Sequence, residues 1–225
     1  MTICIAALFN NGAGCVLVSD QMITAHIPMG YEFENDEVEK IVKIQGSGLI
    51  HALISGNVLF ANEVIDKAKE QIAAKGVNVV DVATDMLRDS YREVRLMHVS
   101  RDELESRGLT LQTYYQRQQS LFQPLVQILD NALRKYDLGV QFLVAGKSGA
   151  SCHVYSVTNP GDSVCHDSLG YAVIGSGAPH AMYHLIESGY KKSMSKDDVV
   201  KVIKAAKKRS EVAPGVGKAE REIII

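Results

Sequence analysis

Residues 2–19 hold two apolar runs, Thr2–Phe9 and Cys15–Ser19, separated by Asn10-Asn11-Gly12-Ala13-Gly14. Asn-Gly between two such runs is a strong hairpin signal, because both residues tolerate the positive φ of a tight turn. Alternate residues of a strand face opposite ways. Thr2, Cys4, Ala6 and Leu8 therefore share one face, and Ile3, Ile5, Ala7 and Phe9 share the other. Both faces are apolar, so the strand pair must be covered on both sides. This points to a layered arrangement of strands and helices rather than an open sheet.

The rest of the chain alternates in blocks. Residues 26–37 are polar and turn-prone, and Val38–Ile44 and Leu49–Ser55 then form a second strand pair across Gln45-Gly46-Ser47-Gly48. From Val58 to Ala74 the period becomes helical, with Val58, Ala61, Ile65, Ala68 and Ile72 on one stripe and Gly76 as the stop. A second helix runs from Val79 to about His98, a helical excursion covers residues 100–120, and Gln123–Tyr136 is a further helix with Pro124 in its first turn. Val140–Ala145 and His153–Thr158 make another hairpin, followed by short strands at Ser163–His166 and Tyr171–Ile174. Helices at about Pro179–Ser188 and Lys196–Ser210, the latter capped by Ser193 or Ser195, precede a last strand at Glu222–Ile225. Strands and helices that come in blocks do not fit the strict alternation of a βαβ fold. The expectation is an α+β fold, a four-layer αββα sandwich of two antiparallel sheets between helix layers. It forms one domain over 1–225 with a helical extension at about 100–136.

Composition narrows the partners. With 24 Lys+Arg against 26 Asp+Glu the net charge is −2, which gives nucleic acid or an acidic membrane surface no electrostatic handle. No apolar run approaches the roughly 18–20 residues that span a bilayer, and the start lacks the basic region of a signal peptide. Cys4, Cys15, Cys152 and Cys165 form no CxxC pair. All four read as buried, reduced thiols, with Cys4 and Cys15 possible neighbours, which points to the cytoplasm.

The chain contains no HExxH, GxSxG or P-loop motif. His180 and His184, at i and i+4, have no acidic companion and read as a helix-surface pair, so neither a metal nor another cofactor is expected. In Cys165-His166-Asp167 adjacent strand residues point to opposite faces, which argues against one shared site. The start of the chain is more suggestive. Met1 before a small residue is normally removed, which would leave Thr2 with its own base, an α-amine of reference pKa about 7.7–8.0. A threonine hydroxyl activated by its own amine is a known nucleophile.

Thr2, the strand–turn–strand unit ending at Asp20, Lys40-Ile41, Ser55-Gly56 before a helix, "FLVAGKSGASCHVYSVTNPGD" and Gly175-Ser176-Gly177 appear in an order that resembles the N-terminal nucleophile hydrolases. The likeness is to proteasome β subunits and the bacterial HslV peptidase. It implies Thr2 as nucleophile and Lys40 beside it, favouring the deprotonated amine. It further implies Asp20 as the partner of Lys40, the Gly56 N–H as oxyanion donor, and Ser176 near the amine. Ile54 and Val58 match positions lining the family's substrate pocket. The resemblance also implies a homo-oligomeric ring, a peptide or small-amide substrate, and a regulatory or ATPase partner of unknown identity. One motif departs from the family pattern of Arg-Asp followed by Ser-Gly-Gly: Ser210 replaces the Asp and Ala213 the Ser, leaving Ser210 or Glu211 as auxiliary residues. Three readings follow: a threonine peptidase, a non-catalytic structural subunit, or an amidase acting on small amides.

Overall fold

The computed structural model describes residues 2–27, 31–35, 38–45 and 49–225, with the side chains of 24–27 and 31–35 left aside. Strands β1 (Cys4–Phe9) and β2 (Gly14–Asp20) pair antiparallel with Cys4 opposite Ser19 and Phe9 opposite Gly14. Asn10 and Asn11 take φ of 48° and 57°, so the hairpin turns where the Asn-Asn-Gly step predicts it. β3 (Ile23–Ile27) and β4 (Tyr31–Asn35) form a two-stranded sheet, and β5 (Ile41–Lys43) and β6 (Ile50–Gly56) follow. The 26–37 stretch is therefore strand where it is described, not a turn-prone connection. Tyr31-Glu32-Phe33-Glu34 alternates with period two, a pattern masked by its many polar residues. The link expected at 46–48 lies outside the described residues.

Helices α1 (Val58–Lys75) and α2 (Val80–Val99) lead into the helical excursion, which contains α3 (Leu111–Arg117) and α4 (Gln123–Lys135). Asn57 caps α1, accepting from the Leu59 and Phe60 amides. The excursion builds a small core of its own from Leu104, Leu109, Tyr114 and Leu129. The Tyr114 hydroxyl donates to Asp130 at 2.7 Å, and burial with this carboxylate pushes it up to about 12. Then come β7 (Val140–Ser148), β8 (Ser151–Thr158), β9 (Asp162–Cys165), β10 (Tyr171–Ile174), α5 (Ala178–Glu187), α6 (Lys196–Ser210) and β11 (Glu220–Ile224). Ser195 is the α6 cap.

Two antiparallel sheets result, ordered β10-β1-β2-β11 and β5-β6-β7-β8-β9. Cys4, Ala6, Leu8, Leu17, Leu53, Leu143 and Val154 fill the space between them. The opposite face of β1, with Ile3, Ile5, Ala7 and Phe9, packs on α5 and α6 through Ala181, Leu185, Val199 and Ile203. α1 and α2 cover the other sheet through Ala61, Val64, Leu87 and Tyr91 against Ile54, Val140 and Phe142. The layers are thus α, β, β, α, and the two apolar faces of β1 are both covered.

The cysteine reading needs two corrections. All four cysteines are free, but Cys165 is exposed because β9 is the edge strand of its sheet. Cys15 lies opposite Leu8, four residues along β1 from Cys4, so those two are not neighbours. No helix among the described residues is long and apolar enough to cross a membrane.

Candidate active site

The hairpin turn at Asn11 sends β2 back alongside β1, so Asp20 ends its strand next to the start of the chain. There the Asp20 carboxylate is wholly buried and fully engaged. Oδ1 accepts from the Ile3 amide at 2.9 Å and from Lys40 Nζ at 2.8 Å. Oδ2 accepts from the Met22 amide at 3.3 Å and the Gly217 amide at 3.0 Å. Lys40 reaches it from the entry to β5, where its own carbonyl accepts from the Ile54 amide at 2.9 Å. The Lys40 side chain is 4% exposed, and its ammonium donates a second bond, to Thr2 Oγ1 at 2.7 Å. A buried ammonium needs a counter-charge and filled donor positions. Asp20 supplies the charge, and the Thr2 hydroxyl takes one of the protons.

Thr2 itself is 5% exposed. Its backbone nitrogen lies 3.2 Å from Ser176 Oγ, while the Gly177 amide donates to the Thr2 carbonyl at 3.2 Å. The Gly175-Ser176-Gly177 turn therefore grips both ends of the Thr2 backbone. Gly175 has φ +101°, and a Cβ there would fall 2.2 Å from the Thr2 carbonyl oxygen. Gly175→Ala is expected to cost at least about 2 kcal/mol through backbone strain and steric contact. A urea titration measures it, and an unchanged midpoint would count against this close approach.

A cleft of about 180 Å³ opens beside these groups, lined by Thr2, Ile23, Val38, Glu39, Lys40, Ile54, Gly56, Val58 and Asn62. Ile54 comes from the end of β6 and Val58 from the first turn of α1, so the strand-to-helix step at Gly56 places both walls. At its rim Glu39 pairs with Arg221 of β11. A second, more polar cleft begins on the far side of Gly56 and Ser176, with Asp137, Gln141, Thr158 and Asn159.

The seven residues expected to act together fall into one neighbourhood: Thr2, Asp20, Lys40 and Ser176 by hydrogen bonds, Gly56, Ile54 and Val58 around the cleft. Ser210 and Glu211 are placed differently. Ser210 Oγ donates to the Lys207 carbonyl at 2.5 Å, and Glu211 accepts from Lys207 Nζ at 2.7 Å. Ser210 still packs against the Ser176 turn, since a Cβ on Gly177 would meet its Cβ at 2.9 Å.

Two contributors escape a reading by motif. The Gly217 amide is one, since nothing in a backbone N–H is visible in sequence. Cys4 is the other: it lies one strand position in from Ile3 and donates its thiol to the Ile54 carbonyl at 3.3 Å. Burial pushes that thiol far above its usual range although Lys40 opposes the shift, so it stays protonated and does not compete with Thr2 as a nucleophile.

The remaining chemistry-bearing residues lie away from Thr2. Asp167 contacts both His153 and the Cys165 thiol. Strand alternation predicts that Cys165-His166-Asp167 splits between faces, but β9 ends at Cys165 and the next two residues leave the strand. His166 Nε2 pairs with Ser156 Oγ at 2.8 Å, Asp167 pairs with His153 at 2.6 Å, and burial raises the Cys165 thiol. His180 is exposed on α5. Among the described residues no three His, Cys, Asp or Glu are placed to hold a metal.

No curated protein matches this chain. A family model does: the one described as Proteasome subunit matches residues 84–213, more than half of the chain. The matched stretch runs from within α2 to the turn beyond α6 and includes Ser176 and Ser210, whereas Thr2, Asp20, Lys40 and Gly56 precede it. With the two-sheet, four-layer architecture around it, this match assigns the chain to the proteasome subunit family.

Proposed function

We propose that this subunit is a threonine-dependent N-terminal nucleophile hydrolase of the HslV kind that cleaves peptide bonds from an acyl-enzyme on Thr2. The carrying observation is the buried relay Asp20–Lys40–Thr2, with Lys40 Nζ 2.8 Å from Asp20 and 2.7 Å from Thr2 Oγ1. Met1, which lies outside the described residues, must be removed to release the Thr2 amine. That amine, next to Ser176, then takes the hydroxyl proton, directly or through a water. Oγ1 attacks the scissile carbonyl carbon, and the Lys40 ammonium stabilises the charge that gathers on Oγ1. The tetrahedral oxyanion takes a hydrogen bond from the Gly56 N–H, at the approach to the positive end of α1. Collapse breaks the C–N bond, and the proton held by the Thr2 amine passes to the leaving amine. Water then hydrolyses the Thr2 ester.

Proteasome subunits assemble into rings, and a homo-oligomeric ring is proposed for this chain, acting as one domain. Its free thiols suit a reducing compartment such as the cytoplasm. Ile54 and Val58 favour apolar residues on the acyl side of the scissile bond. Narrowing the cleft tests this on a peptide panel. Val58→Phe is expected to lower kcat/KM for peptides with Leu at that position by about tenfold or more, and to spare those with Ala. Equal losses for both would remove the cleft from the account.

One observation favours a second reading, a structural subunit that assembles without cleaving. Where the family pattern has Asp and Ser, the end of α6 and the turn after it carry Ser210, whose hydroxyl is committed to Lys207, and the apolar Ala213. Glu211 beside them is paired with Lys207. A Met1-free chain inert toward peptides, small amides and threonine-directed electrophiles would support it. Turnover of small amides alone would select the amidase.

A further inference from the structure

Among the described residues, a buried lysine also lies outside the Thr2 relay. Lys207, in the last turn of α6, is 1% exposed, and its ammonium donates to Glu211 Oε1 at 2.7 Å and to the backbone carbonyl of Lys218 at 2.6 Å. A lysine is not placed in such a position for packing alone, because a buried ammonium is strongly unfavourable until its charge and its protons are matched. Its two partners stand at the two ends of residues 211–218. One side chain thus staples the whole return segment onto α6.

That segment carries one of the two backbone donors to Asp20 Oδ2, the other being the Met22 amide. Within it the Ala213 amide donates to Ser210 and the Val216 amide to Ala213, at 3.0 and 3.2 Å. Ala213 and Val216 pack into the same core cluster as Ile3. The Gly217 amide, one residue before the clamped carbonyl, donates to Asp20 Oδ2 at 3.0 Å. A Cβ at Gly217 would fall 2.5 Å from Met22 Cβ, so the segment meets the residues that follow β2 without slack. An unbroken path of short contacts therefore leads from Lys207 through the Lys218 carbonyl, Gly217, Asp20 and Lys40 to Thr2 Oγ1.

We propose that Lys207, neutralised by Glu211, is a positioning residue for the Thr2 site. By fixing residues 211–218 it aims the Gly217 N–H at Asp20 and so holds the Asp20–Lys40 pair in line with the Thr2 hydroxyl. The proposal rests on the Thr2 reading for its catalytic consequence and on geometry for the clamp itself.

The test compares Lys207→Met and Glu211→Gln with the wild-type full chain by amide hydrogen exchange and peptide hydrolysis. Methionine keeps the length of the stem and removes both hydrogen bonds. K207M is expected to speed exchange of the Gly217 amide by about tenfold or more while the β1–β2 ladder is unchanged. It should also lower kcat by about tenfold or more with KM within about twofold, because the cleft walls come from β6 and α1 rather than from this segment. E211Q keeps an acceptor and loses the charge, so it should move both readouts in the same direction by less. It also decides the matter if K207M does not fold.

An unchanged Gly217 exchange rate overturns the proposal, and so does faster exchange with wild-type kcat. A rise in KM matching the fall in kcat would indicate general loosening and also overturn it. If the wild type hydrolyses nothing, the Thr2 reading fails by itself. The clamp is then decided by the exchange arm, supported by acceleration and refuted by its absence.

Discussion

If Thr2 is the nucleophile, Thr2→Ala is expected to lower peptide hydrolysis by on the order of 10³-fold or more while leaving the protein folded. The size of the loss follows from the role: no other hydroxyl accepts from Lys40 Nζ among the described contacts, and the nearby Cys4 thiol is held protonated by burial. The folded state should survive because the side chain removed is small and its backbone is held independently by Ile3, Ser176 and Gly177 contacts to neighbouring elements. Activity assayed with thermal unfolding checks both halves. Residual activity within tenfold of wild type would mean that another group performs the attack.

Asp20→Ala has the largest expected effect on stability. It strands the ammonium of the buried Lys40 side chain without a counter-charge, and it leaves the Ile3 and Gly217 amides without their acceptor. Removing one partner of a buried ion pair costs about 3–5 kcal/mol, and each orphaned amide adds to that. Activity should disappear together with the folded population. Asp20→Asn separates the two effects. It keeps one carbonyl oxygen for Lys40 and Ile3 but turns an NH2 toward the donors Met22 and Gly217, so it should unfold less readily than Asp20→Ala and still be slow. Chemical denaturation beside kcat resolves this, and an Asp20→Ala variant of wild-type stability would contradict the buried pair.

The fold was largely legible because its decisive signals are local. Apolar residues on both faces of β1 demanded two covering layers, and Asn11-Gly12 fixed the turn that returns Asp20 to the start of β1. The β3–β4 pair was harder to read, since the polar residues of β4 hide its alternation and the two strands form a small sheet with each other. Cys165 was misplaced for a related reason: whether a strand lies at a sheet edge depends on its neighbours, not on its own residues.

At the site, side chains at strand ends and at the strand-to-helix step were readable through the family resemblance that their order carries, not from any one of them alone. Thr2, Asp20, Lys40, Ser176 and the Gly56 step come together through hairpins and a helix start, each with a local signature. The supports that were not readable act through the backbone. Gly217 contributes only its N–H, and Lys207 reaches a carbonyl eleven residues further along the chain. Glu211 shows the limit from the other side. As a carboxylate near the end of α6 it had the right chemistry for bracing Thr2, but the structure gives it to Lys207.

The central claim is that Thr2 of a Met1-free chain is the nucleophile. Its most direct test is the intact mass of the protein before and after incubation with an electrophile directed at N-terminal threonine, in wild type and Thr2→Ala. The account predicts a wild-type chain lacking Met1 that gains one adduct, and a Thr2→Ala chain that gains none. A chain retaining Met1, a Met1-free wild type without adduct, or an adduct that persists in Thr2→Ala would contradict it.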